Sequence, residues 1–82
     1  MTPNREAINL RTLAGLTVRR MSALAGLVDG TGWSKIERGE LGIDPVRWTL
    51  TRARVALLSG DEAGALAVIR EDMQLINDMP RC

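Results

Sequence analysis

Glycine punctuation constrains this chain more than any other feature. Gly15, Gly26 and Gly39 each follow a short apolar stripe of helical spacing, and glycine is the residue that most readily closes a helix. No run shows the period-two alternation of β-branched or aromatic residues that marks a strand. Ala, Leu and Arg dominate instead. The sequence therefore predicts an all-α fold of five helices, without repeats, low-complexity tracts or linkers.

The first helix begins near Pro3, with Thr2 or Asn4 as its cap, and stops at Gly15. Ala7, Leu10 and Ala14 form its apolar stripe, with Ile8 and Leu13 alongside. Thr17 caps a second helix over residues 18–25, with Met21, Leu24 and Ala25 inward and Arg19, Arg20 and Ala23 outward. After the turn "GLVDG", a third helix covers residues 31–38. Asp44 and Pro45 are a cap and a first-turn proline, opening a fourth helix that ends near Leu58. Its expected inward set is Val46, Leu50, Ala53 and Leu57, with Trp48 and Val55 on an adjoining side. Ser59 and Glu62 read as a capping box for a fifth helix running to about Asp78, before Pro80.

At 82 residues the chain makes one domain with a marginal core, which usually needs supplementary stabilisation. Cys82 is the one cysteine and histidine is absent, so neither a disulfide within the monomer nor a zinc site is expected. A reducing, cytoplasmic setting fits that usage. The N-terminal "MTPNREAINLRTL" carries charges where a secretory signal is apolar, and no stretch approaches the roughly 18 apolar residues of a membrane helix. Oligomerisation remains as the source of extra stability. Catalysis is not expected either: there is no histidine base, no cleft-like carboxylate pair and no phosphate-binding glycine loop. No cofactor, metal or small-molecule ligand is implied.

Charge is divided unevenly. Residues 1–56 hold nine basic and five acidic side chains, whereas residues 57–82 hold two and five. A basic body points to an anionic partner, and an acidic end segment to a different task. The alternative is chance segregation in a short chain.

The stretch "GWSKIERG", residues 32–39, is too short to hold itself as a helix, because nucleation is costly and two turns return few hydrogen bonds. Something must pack against it. Two short helices joined by a glycine turn and followed by "SKIERG" resemble the lambda-repressor-like (Cro/C1-type, XRE) helix-turn-helix transcriptional regulators. Leu10-Arg11, Gly15-Leu16-Thr17, Gly26 and Ile36-Glu37-Arg38-Gly39 carry the likeness, which covers residues 10–58. Three features depart from the family pattern: one extra residue lies between Gly26 and Trp33, Gly30 and Gly32 weaken the start of the third helix by roughly 1 kcal/mol each, and Val18 stands where a polar side chain is usual.

The resemblance implies a helix-turn-helix DNA-binding domain over residues 1–58 and a C-terminal helix over residues 59–82. In this motif the second helix of the pair enters the major groove with its N-terminal half against base edges. Trp33 and Ile36 would then face inward, an intercalating Trp33 being the sharper alternative. Gly30, Thr31, Ser34 and Lys35 would read bases, Lys35 donating to guanine O6/N7. Thr31 has a second reading, as the cap of the third helix. Thr17, Arg19, Arg20 and Arg38 would bind phosphates, fixing register without reading sequence. Gly30 and Gly32 would let the backbone approach DNA closely, or order only on binding. The family also implies an Arg11–Glu37 pair locking helix three onto helix one.

The fifth helix has an apolar face wider than a small bundle requires. Leu66, Ile69, Met73 and Ile76 follow one another at spacings of three, four and three, and Ala65, Val68, Leu75 and Met79 widen the stripe. A two-fold homodimer contact is the expected use, the other being to fold back over Trp48 and the core. Together these readings describe a repressor binding double-stranded DNA at a palindromic operator, an autoregulator of a phage or mobile-element operon of the anti-CRISPR-associated type. The rival is an antitoxin or protein-interaction module on the same helical plan.

Overall fold

A computed structural model of the chain describes residues 2–78, so Met79, Pro80 and Cys82 lie outside the described residues. Within them the fold is all-α: α1 Arg5–Leu13, α2 Val18–Leu24, α3 Gly32–Glu37, α4 Pro45–Leu58 and α5 Glu62–Asp78. Side-chain caps set the starts. Asn4, rather than Thr2, accepts the Ala7 N–H, Thr17 accepts that of Arg20, and Asp44 that of Arg47 ahead of Pro45. Each such cap contributes about 1 kcal/mol.

The closing glycines adopt positive φ, as their placement predicts. Gly39, at φ 78°, has a second reason to be glycine. The N-terminal segment crosses it so closely that an added Cβ would collide with the carbonyl oxygen of Thr2. The end of α3 is thereby roofed by the start of the chain, and the Asn4 N–H donates to the Glu37 carbonyl at 2.9 Å beside it.

The core gathers Ala7, Met21, Ala25, Trp33, Ile36 and Val55, with Leu10, Ala14, Leu16, Val18, Leu24, Leu27, Ile43 and Trp48 packed around them. Trp33 is fully buried and Ile36 is 1% exposed, as their one-turn spacing requires. The indole Nε1 of Trp33 is buried without a hydrogen-bond partner among the described residues.

Helix α4 is rotated from the expected orientation. Thr51, Ala53 and Val55 are its buried residues, whereas Val46 is 71% and Leu57 56% exposed. The helix serves two neighbours at once, and a single apolar stripe does not describe it. Val55 and Trp48 belong to the core of α1–α3, while Leu50, Ala53 and Leu57 line a groove shared with Ala65, Leu66 and Ile69 of α5. Thr51 tolerates full burial because its hydroxyl donates to the Arg47 carbonyl at 2.7 Å, leaving no unpaired donor. On the half-buried side, the Arg52 guanidinium stands 6.0 Å from the centroid of the Trp48 ring.

The cap of α5 is also corrected. Ser59 ends α4, and Asp61 accepts the Gly64 N–H at 2.8 Å, so aspartate and not a Ser–Glu box opens the last helix. Gly64 suits that cap because a Cβ there would collide with the Asp61 carboxylate. Helix α5 packs on α4 through Ala65, with Val68 and Asp72 half-buried and Asp72 accepting from the Thr49 hydroxyl at 3.3 Å. Among the described residues no helix is long and apolar enough to cross a membrane.

Candidate nucleic-acid interface

Helix α3 is held from three sides. Trp33 and Ile36 fill the core, and the Trp33 backbone N–H donates to Ser22 Oγ on α2 at 3.0 Å. Glu37 accepts from Arg11 Nε at 2.7 Å and from Nη2 at 3.0 Å, while Arg11 Nη1 donates to the Leu16 carbonyl at 3.2 Å. That fork joins α1 to α3, as expected for Arg11 and Glu37. The hydrogen bond to Glu37 raises the Arg11 pKa further, so the guanidinium stays charged across the accessible pH range.

Opposite the buried face, Thr31 and Lys35 are exposed, one helical turn apart. Ser34 is half-buried: its hydroxyl donates to the Thr31 carbonyl at 2.9 Å and accepts from Arg38 Nη1 at 3.3 Å. It therefore reaches outward less than a base-reading serine needs. Thr31 makes no side-chain cap to α3. Its backbone N–H and its hydroxyl both donate to Asp29 Oδ1, at 3.0 and 2.9 Å. These bonds, with a smaller contribution from the charge of Lys35, hold the Asp29 carboxyl below its ordinary pKa.

The two glycines of this region differ. Gly32 is buried, and a Cβ there would stand 3.1 Å from Leu27 Cδ1, so it makes room for Leu27 and cannot approach a duplex. Gly30 is half-buried beneath Arg19, whose Nε would lie 3.5 Å from an added Cβ. Arg19, expected at a phosphate, thus lies over Gly30, expected at a base.

Thr17 caps α2 with its side chain, and Arg19 and Arg20 stand exposed in the first turn of that helix. Val18 is half-buried against the core, which explains why an apolar residue occupies that position. Arg38 is not free. Its Nε and Nη2 both donate to Glu40 Oε2, at 2.9 and 2.7 Å. Arg19, Arg20 and Lys35 make no ion pair among the described residues. On α5, Leu66, Ile69, Met73 and Ile76 are 39–55% exposed, an uncovered apolar stripe.

Comparison with known proteins finds no matching family model, curated protein or solved structure. The chain's own geometry therefore carries the reading. Thr31, Lys35, Arg19 and Gly30 are brought together around one turn, and Ser34 and Arg38 adjoin each other one helical turn on. Asp29, Ser22 and Glu40 join the site only through the folded structure. The local signal for Asp29 is its own side chain, since an Asp accepting from the backbone two residues on marks a turn. Among the described residues, no cluster of three or more His, Cys, Asp or Glu side chains is placed to hold a metal ion.

Proposed function

We propose that this chain is a sequence-specific double-stranded DNA-binding repressor with a lambda-repressor-like helix-turn-helix, acting as a homodimer. The observation that carries the reading is α3 itself. It is a six-residue helix pinned by Trp33, Ile36 and Glu37, with Thr31 and Lys35 left uncovered on its other side. A helix too short to stand alone, held so firmly with one side bare, suits insertion into a major groove. Arg19, Arg20 and the cap at Thr17 supply phosphate contacts beside it.

The exposed stripe on α5 supports a two-fold dimer, whose paired α3 helices would read half-sites about 34 Å apart in a palindromic operator. Repression would follow from occupying a promoter in the cytoplasm of a bacterial cell or an infected host. The operon of a phage or mobile element, autoregulated by its own product, is the setting proposed.

A second reading, an antitoxin or interaction module, draws on Asp29 and Glu40. These place carboxylates next to Thr31 and Arg38, which reduces attraction to a polyanion. Titrating binding to random duplex against salt separates the two. A DNA-binding regulator loses affinity linearly in log salt, whereas an interaction module shows little binding at any salt. Absence of duplex binding at low salt would overturn the first reading.

A further inference from the structure

The edge of a G·C pair in the major groove presents two acceptors, guanine N7 and O6, beside one donor, the cytosine N4 amino group. Its complement is a cation next to a carboxylate. The uncovered side of α3 and the exposed turn just before it offer that pair in Lys35 and Asp29.

Asp29 is aimed by its neighbours. Both donors of Thr31 converge on Oδ1, at 3.0 and 2.9 Å, which fixes the carboxylate and leaves Oδ2 to accept elsewhere. Thr31 in turn lies one helical turn from Lys35 on the exposed side, so the three side chains share one surface. No further partner of the Asp29 side chain occurs among the described residues. Arg19, lying over Gly30, flanks the group and can take the adjoining phosphate.

We propose that Asp29 and Lys35 together read a single G·C base pair, Asp29 accepting from cytosine N4 while Lys35 donates to guanine O6 and N7. This rests on the DNA-reading role proposed above. A carboxylate facing a polyanion weakens binding wherever no base donor meets it. Asp29 therefore acts mainly by penalising wrong sequences, and Lys35 supplies the attraction. The Asp29 carboxyl, which the Thr31 donors hold below its ordinary value, is an ionised acceptor at neutral pH.

The test is selection of bound sequences from a random duplex library, using the full chain and its Lys35→Ala, Asp29→Ala and Asp29→Asn variants, with helicity checked by circular dichroism. Lys35→Ala and Asp29→Ala should flatten the same base pair, each reducing discrimination there about tenfold. Asp29→Ala should also bind the disfavoured sequences more tightly than the parent does. Asp29→Asn keeps an oxygen for the Thr31 donors and turns an NH2 toward the base, so its preference should shift away from cytosine. It reads the role even if Asp29→Ala fails to fold. The proposal is overturned if Lys35→Ala flattens a position while the Asp29 variants leave every preference unchanged, or flatten a different pair. A parent chain that selects no sequence at all overturns the DNA-reading role itself, and this assignment with it.

Discussion

The Ser22 hydroxyl accepts the Trp33 backbone N–H at 3.0 Å while donating to the Val18 carbonyl at 2.9 Å, so one small side chain joins α2 to the first turn of α3. Both residues are fully buried. Ser22→Ala leaves the Trp33 N–H without its acceptor in a site closed to water. The expected loss is about 1–3 kcal/mol, read as a lower urea midpoint at unchanged slope. A midpoint equal to the parent's would show that another group takes the proton.

The Arg11–Glu37 fork has side chains 24% and 11% exposed, between the surface and the buried limit. Arg11→Met or Glu37→Gln should each cost about 2 kcal/mol, less than the cost of breaking a fully buried pair and more than an exposed one. A double-mutant cycle should return a clear coupling energy. Additive effects would mean that the two side chains act separately.

Arg19 and Glu40 should move DNA affinity in opposite directions. Arg19→Ala removes an unpaired cation and should weaken all sequences alike, lowering the salt slope by about one. Glu40→Gln releases Arg38 from its carboxylate partner and should tighten non-specific binding while steepening that slope. Fluorescence anisotropy on random duplex at several salt concentrations measures both. Equal slopes for Glu40→Gln and parent would leave Arg38 outside the phosphate contacts.

Ile69 is 39% exposed in the middle of the α5 stripe. If the parent is the proposed dimer, Ile69→Glu should leave the helical content intact and yield a monomer in sedimentation equilibrium, because a buried carboxylate from each copy opposes a two-fold contact through this stripe. A dimeric parent whose mass the substitution leaves unchanged would place the contact on another surface, and a monomeric parent would overturn the proposed dimer.

Gly39→Ala should destabilise the fold by more than about 1 kcal/mol, since positive φ and the Thr2 carbonyl both oppose a Cβ. Thermal unfolding checks this. An Ala variant as stable as the parent would show that the N-terminal segment lifts away freely.

Much of this architecture is written in local chemistry. Thr17 and Asp44 are caps by residue type, Gly15, Gly26 and Gly39 close helices, and the spacing of Trp33 to Ile36 puts both inside. The Arg11–Glu37 fork came through the family resemblance, since nothing local pairs residues on separate helices. What stayed hidden depends on three dimensions. Ranking residues by hydrophobicity places Val46 inside and Thr51 and Ser22 outside, yet a hydroxyl bonded to the preceding turn is cheap to bury. Helix α4 has two neighbours, so its pattern is a sum of two stripes that sequence alone does not separate. The site shows the same limit: Lys35 and Arg38 are legible as cations, but Asp29 and Glu40 acquire their meaning from the side chains they meet.

The partnerless indole N–H of Trp33 has one practical consequence. Its proton is sealed among apolar groups and can exchange with deuterium only when the third helix lifts off the body of the protein. A single tryptophan resonance thus times that opening without any label. On the DNA-binding role proposed above, a duplex seated against that helix would slow its disappearance.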